Sequence, residues 1–162
     1  MNASGIAEIG TWRTRVVVWL LHRFFLLSRG MTMGVRAACF NTEGQVFLVR
    51  HTYVPGWYMP GGGMEHGETA LEALAKELRE EGNLVMTEKP ELVHVYYNRK
   101  TSKRDHVLFY RVSVEQTALR RPDREIAESG FFSLDALPDD ITDATLRRLR
   151  ELSGAETRSE YW

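Results

Sequence analysis

The order of elements readable in the chain predicts an α/β (α+β) domain, a mixed β-sheet with helices packed on it, behind an extra N-terminal amphipathic helix. Three observations lead there. Apolar, β-branched and aromatic residues dominate four short runs, "GVRAACF", "QVFLVR", "ELVHVYYN" and "HVLFYRVSV", which is the composition and length of strands. Two other stretches, 68–81 and 141–152, carry their leucines at helical spacing. The length of 162 residues suits one domain able to bury most of the surface its unfolded chain exposes.

Taken in order, the segment "RTRVVVWLLHRFFLLSRG" comes first. On a wheel of about 100° per residue, Val16, Val17, Leu20, Leu21, Phe24, Phe25 and Leu27 share one half, while Arg15, His22 and Arg29 share the other with Arg23 near them. The segment is too short to span a bilayer, is broken by His22 and Arg23, and lacks a small-residue cleavage site after it. Packing on the domain or against a partner subunit, as in a homodimer, is the expected use. Contact with an anionic membrane surface is the alternative, motivated by the basic face and by Trp12 and Trp19 at its edge. The expected division is 1–30 for this helix, 31–153 for the main domain and 154–162 for a flexible tail.

After Gly30, "GVRAACF" and "QVFLVR" form a hairpin across the polar turn "NTEGQ". "HTYVPGWYMPGGG" is a loop whose aromatics suggest that it lines something. The helix from Glu68 to Glu81 follows, stopped by Gly82 and Asn83, with Leu71, Leu74 and Leu78 expected to face the sheet. "ELVHVYYN" and "HVLFYRVSV" are strands joined by the basic turn "RKTSKRD", read as a solvated tip or a phosphate contact. His94 and Tyr96 face either a pocket or the sheet surface. Residues 115–129 make a loop long enough to be functional or disordered. "GFFSL" is a closing strand, "ITDATLRRLREL" a last helix with Leu146, Leu149 and Leu152 inward, and the final residues fray.

The charge balance excludes several classes. With 21 basic and 22 acidic residues there is no general electrostatic footprint for nucleic acid. Any specificity is local. The single cysteine, Cys39, lies in an apolar run; it excludes an internal disulfide, reads as a buried small hydrophobe, and points to a reducing, cytoplasmic location.

The chemistry concentrates in "PGGGMEHGETALEALAKELREEGNL", residues 60–84. Five glutamates, against one lysine and one arginine, occupy the helix from Glu68 to Glu81, and like charges three or four residues apart destabilise a helix by about 0.2–0.5 kcal/mol per pair. Glu77, Glu80 and Glu81 crowd one face, whereas Glu68 and Glu72 lie about half a turn away, solvated or paired locally. Clustered carboxylates are either solvated or bound to a hard divalent cation, and Mg2+ suits a few carboxylates together with phosphate oxygens. Glycines immediately ahead permit close backbone approach, and the helix N-terminus favours anions.

At this point the chain resembles the Nudix hydrolase family (MutT-like). The family box runs Gly, any five, Glu, any seven, Arg-Glu, an aliphatic, any one, Glu-Glu, any one, Gly, an aliphatic. This chain offers Gly62, Glu68, Lys76-Glu77, Leu78, Arg79, Glu80-Glu81, Gly82, Asn83 and Leu84, and the likeness extends over about residues 33–152. It departs at Lys76, where the family has arginine, and at Asn83, where it has glycine.

The resemblance implies the Nudix fold, a mixed sheet sandwiched between helices, and Mg2+- or Mn2+-dependent hydrolysis of a pyrophosphate bond. The substrate implied is a small-molecule nucleotide, either a nucleoside diphosphate linked to another group or a nucleoside triphosphate; a catalytically silent nucleotide-binding or interaction protein is the alternative. Glu77 and Glu81 match carboxylate ligands, Glu80 a third acidic position that binds metal directly or through water, and Gly61 a loop glycine whose carbonyl can join them. Glu80 is the first choice of general base, followed by Glu125 and Glu128, with Glu77 also in the catalytic set. Gly62 and Lys76 belong to the substrate-side group. Arg50 and His51 are candidate phosphate contacts, and Tyr53, Trp57 or Tyr58 can stack on a base or sugar.

Overall fold

The computed structural model describes residues 12–28 and 30–162, and the chain divides into two units at Met31/Thr32. In the first, α1 spans Trp12–Ser28. Its Ser28 hydroxyl donates to the Phe24 carbonyl at 2.7 Å and Arg23 lies over the Trp19 ring. Val16, Val17, Trp19, Leu20, Leu21 and Phe24 are exposed. The side chain of Leu27 and the whole of Arg29, assigned to this helix from sequence, lie outside the described residues. Among the described residues no helix is long and apolar enough to cross a membrane.

The second unit contains β1 (Thr32–Phe40), β2 (Val46–His51), β3 (Trp57–Tyr58), α2 (Ala70–Gly82), β4 (Leu84–Met86), β5 (Glu91–Tyr97), β6 (Asp105–Gln116), β7 (Ile126–Phe132) and α3 (Asp143–Leu152). The strand order is β3-β2-β1-β6-β4, with β5 also on β6 and β7 also on β2. β1 and β6 run parallel and the other pairs antiparallel, so the sheet is mixed as expected. The β1–β2 turn closes because Gly44 takes φ +75° and Asn41 Oδ1 accepts from the N–H groups of Glu43 and Gln45.

Alternation along β1 and β2 creates two buried layers. Val35, Ala37, Cys39, Phe47 and Val49 pack with Ala73, Leu74 and Leu78 of α2, while Ala38, Val46 and Leu48 meet Leu149 of α3 on the other face. Cys39 is buried, as its run suggested. The sheet is thus sandwiched between α2 and α3.

Several expectations change. The short strands β3 and β4 were not foreseen, and the closing strand begins at Ile126 because residues 126–132 pair along β2. Leu71 is 43% exposed; the buried face of α2 follows Ala73, Leu74, Leu78 and Glu81, and the small alanine is what lets the helix approach the sheet. The tail does not fray. Tyr97 N–H donates to the Glu160 carbonyl at 2.9 Å, Trp162 N–H donates to the Tyr97 carbonyl at 3.2 Å, and the Trp162 ring packs into the α3-side core. Tyr96, left open between pocket and sheet surface, is a core residue of that same layer.

Candidate active site

The glycine-rich loop has a fixed shape because it zips onto β1. Val35 N–H donates to the Gly62 carbonyl (2.9 Å), Ala37 N–H to the Pro60 carbonyl (3.0 Å) and Met64 N–H to the Met33 carbonyl (2.9 Å). Gly61 sits at φ +140°, and a Cβ there would lie 2.1 Å from the Val35 carbonyl oxygen. No other residue fits. This turn directs the Gly61 N–H at Glu81 Oε2, 2.8 Å away. A Cβ at Gly62 would meet Glu77 Oε1 at 2.3 Å, so that glycine lets the Glu77 carboxylate lie against the loop.

Helix α2 begins at Ala70, two residues later than the sequence suggests, because Thr69 caps it. The Thr69 hydroxyl accepts from Glu72 N–H and the Glu72 carboxylate accepts from Thr69 N–H. Glu68 lies before the helix, where its carboxylate, like that of Glu65, holds the Lys76 ammonium at 3.0 Å. These partners, Glu68 first, push the lysine pKa up. Lys76 is therefore a clamp on the loop ahead of the helix. Lys76 also lines the acidic cavity, with its charge already matched by these two carboxylates.

At the other end, Asn83 takes the left-handed conformation (φ 52°) that ends the helix, and its N–H donates to the Arg79 carbonyl at 3.0 Å. Its side chain also reaches the Ala118 and Leu119 carbonyls. Gly82 serves packing instead, since a Cβ there would lie 2.7 Å from both Leu84 and Phe47. Both departures from the box are accommodated.

The long loop is ordered by a second clamp. Arg120 Nε donates to the Glu80 carbonyl at 2.7 Å and its guanidinium pairs with Asp123. Asp123 Oδ1 accepts from the N–H groups of Glu125 and Ile126, both at 2.8 Å, and with Arg120 its carboxyl is held well below the usual range. Thr52 N–H then fixes the Glu125 carbonyl at 2.9 Å.

Together these elements enclose a cavity of about 390 Å3 lined by Glu65, Lys76, Glu77, Glu80, Glu81, Arg120, Asp123, Glu125 and Ile126. Six acids face two cations, and both cations are already paired. Burial pushes the Glu81 carboxyl up to about 7 against the opposing influence of Arg36 and the Gly61 N–H. Burial also raises Glu77. His51 Nε2 stands 3.7 Å from Glu81 Oε1, and burial, followed by Arg36, lowers the pKa of the imidazole. Ligand atoms of His51, Glu81 and Glu125 all lie within 4.8 Å of one another. The oxygen-rich lining, with Glu81 buried and Glu77 half-buried and both short of counter-charge, fits a divalent cation.

Glu77, Glu80, Glu81 and Glu125 are thus brought together. Others are not. Glu128, a candidate base, pairs with Arg50 at 3.2 Å, and Arg50 is also engaged by Asp140. Trp57 is 7% exposed and packs edge-on against Phe132 in the core, which removes it from any stacking role. The Tyr58 hydroxyl donates to the Pro55 carbonyl at 2.9 Å. Tyr53 is exposed, with Arg50 and Glu128 on a second cavity of about 440 Å3 that His51 also lines. Arg120, Asp123 and the orientation of His51 escaped the sequence reading. Alternation offered a clue for His51: Phe47 and Val49 face α2, so His51 does too and Arg50 does not.

A family model described as NUDIX domain matches residues 30–152. The chain is 41% identical over 56 residues to an RNA pyrophosphohydrolase of Xanthomonas campestris, covering 35% of this chain and 27% of that protein. It is 34% identical over 80 residues to a putative 8-oxo-dGTP diphosphatase of Bacillus subtilis, covering 48% and 52%. The chain therefore spans between about a quarter and a half of these curated relatives. Among solved structures, a MutT NUDIX hydrolase from Burkholderia pseudomallei aligns with TM-score 0.62 at 23% identity, covering 75% of this chain and 97% of that one. An ADP-ribose pyrophosphatase from Streptococcus suis aligns with TM-score 0.58 at 27% identity, covering 81% and 95%. With the box laid over a capped helix, the glycine loop zipped to the sheet and the carboxylates gathered in one cavity, the family match has its structural counterpart, and the chain belongs to the NUDIX domain family.

Proposed function

We propose that this protein hydrolyses a pyrophosphate bond in a small nucleotide, using Mg2+ or Mn2+ held by Glu77, Glu80 and Glu81. The observation that carries the reading is the gathering of these three with Glu125 around one acidic cavity behind a loop that only glycine can form. A bound divalent ion supplies neutralisation of the diphosphate and acidifies a water molecule. The chain's own groups do the rest. The Gly61 N–H orients Glu81, Lys76 holds the helix entrance against Glu65 and Glu68, and Arg120 with Asp123 presents Glu125. Glu80 and Glu125, both exposed to the cavity, are the bases in reach of an attacking water. Tyr53 on the adjoining cavity is the aromatic available to the group beyond the phosphates.

The named relatives act on different nucleotides, and the pyrophosphate link is what those names share, so the substrate class stops there. A silent, binding-only role is not favoured, because Lys76 holds the loop through Glu65 and Glu68 and Asn83 ends the helix in the left-handed conformation, so neither departure disturbs the site. Release of phosphate or nucleotide from a panel of nucleoside diphosphate derivatives and triphosphates, with Mg2+ or Mn2+, tests the proposal. Turnover of none of them, or full turnover in Glu81→Gln, would sink it.

A further inference from the structure

We propose that His51 supplies an imidazole nitrogen to the cation site beside Glu81 and Glu125, giving it a mixed nitrogen and oxygen ligand set that ranks borderline transition-metal ions above Mg2+. The inference rests on the preceding reading that the acidic cavity holds a divalent cation.

His51 is 7% exposed, and its Nδ1 is buried without a hydrogen-bond partner. Its Nε2 faces Glu81 Oε1 at 3.7 Å, too long for a hydrogen bond. The nitrogen that matters is Nε2: it faces the Glu81 carboxylate yet has no hydrogen-bond partner of its own among the described residues, and a nearly buried imidazole nitrogen left short in a cleft calls for an explanation. The rings of Tyr53 and Tyr58 flank it at 5.2 and 5.6 Å and offer packing, with no acceptor for a ring N–H. A cation does fit. Ligands about 2.1 Å from a common ion lie roughly 3 to 4.2 Å apart, and the His51–Glu81 separation of 3.7 Å is within that range. Glu125 completes a set no wider than 4.8 Å and is exposed, so a small side-chain rotation brings it in.

Three independent features aim these groups at one point. Alternation in β2 turns His51 toward α2 with Phe47 and Val49. The β2–β7 register shifts between Arg50, which pairs with Glu128, and His51, which pairs with Ile126; this irregularity places Glu125 beside His51. Gly61 N–H occupies Glu81 Oε2 and leaves Oε1 directed at the imidazole.

The chemical consequence is selectivity. Mg2+ prefers oxygen and water, whereas imidazole suits later first-row ions. The oxygen set of Glu77, Glu80 and Glu81 still accepts Mg2+, but Co2+ or Ni2+ gains a nitrogen ligand that Mg2+ uses poorly. With Mn2+ as a paramagnetic probe of the full chain, electron spin-echo modulation is expected to show 14N coupling that disappears in His51→Gln and in His51→Asn. Titration calorimetry is expected to show the Co2+ to Mg2+ affinity ratio falling at least about tenfold in both variants, with Mg2+ affinity little changed. Mn2+ binding that depends on Glu81 but shows no nitrogen coupling would overturn the role of His51 and leave the cation site standing. No binding of Mn2+, Co2+ or Mg2+ at all would overturn both. Should both variants fail to fold, the coupling in the unaltered protein decides alone.

Discussion

Both helices that flank the sheet bury charge, and they do so in opposite ways. On α3, Arg148 is fully buried and its charge is matched although its Nε has no hydrogen-bond partner among the described residues: one Nη donates to the Tyr161 carbonyl at 2.9 Å, the other to Glu151 Oε1 at 2.6 Å, and the guanidinium lies 4.0 Å over the Tyr96 ring. Glu151 in turn accepts from the Tyr96 hydroxyl at 2.6 Å and the Ser159 N–H at 3.1 Å. On α2, Glu81 is 4% exposed with a single hydrogen bond from Gly61 and no cation in contact among the described residues beyond a histidine at 3.7 Å. A buried charge surrounded by partners fixes a docking, here of the C-terminal segment onto α3 and the sheet. A buried charge short of partners holds its site ready for a ligand.

Breaking each cluster separates the two roles. Arg148→Ala strands Glu151 in the core and is expected to cost roughly 3–5 kcal/mol in urea unfolding, while the turnover of the molecules that remain folded stays near normal. A variant as stable as the parent would refute the structural role of that cluster.

Glu81→Gln should behave in reverse. Turnover is expected to fall at least about a hundredfold, a loss of roughly 2.7 kcal/mol of transition-state stabilisation. Stability moves the other way and depends on pH. The Glu81 carboxyl is raised in the folded state to about 7, so its favourable contribution is complete below about pH 4.5 and is lost as pH rises through about 7. Metal-free protein should thus be less stable at about pH 8 than at about pH 5, by on the order of 3 kcal/mol. Thermal melts should show this slope flattened in Glu81→Gln, and added Mn2+ should stabilise the parent more at the higher pH.

Asp123→Ala sharpens the comparison, because it removes the turn that delivers Glu125 without touching the helix glutamates. Activity is expected to drop about tenfold through misplacement of that loop, measured as kcat with the fold checked by circular dichroism. Lys76→Arg is the smallest perturbation. Arginine can serve Glu65 and Glu68 at once, so turnover should change by no more than about twofold; a large gain would mean the lysine had been limiting catalysis.

Much of the site was legible because helical geometry is local. Spacing alone put Glu77, Glu80 and Glu81 on one side of α2 and left Glu68 and Glu72 to local partners, found as Lys76 and Thr69. The glycine run announced a close approach. The loop residues were less legible: Glu125 and Glu128 are three positions apart in sequence, yet only the shifted pairing of β7 on β2 sends one to the cavity and the other to Arg50. Trp57 reads as a binding aromatic in a glycine-rich loop until β3 carries it into the core.

The mixed fold, the acidic helix and the family are written in residue types at short, regular spacing, and so were readable from the chain. Tertiary structure alone decided which carboxylates meet, which cations are already paired, that the tail docks, and that His51 turns to Glu81. Those outcomes depend on strand register and on contacts between residues far apart in the chain, where one place of slip reverses the face a side chain presents.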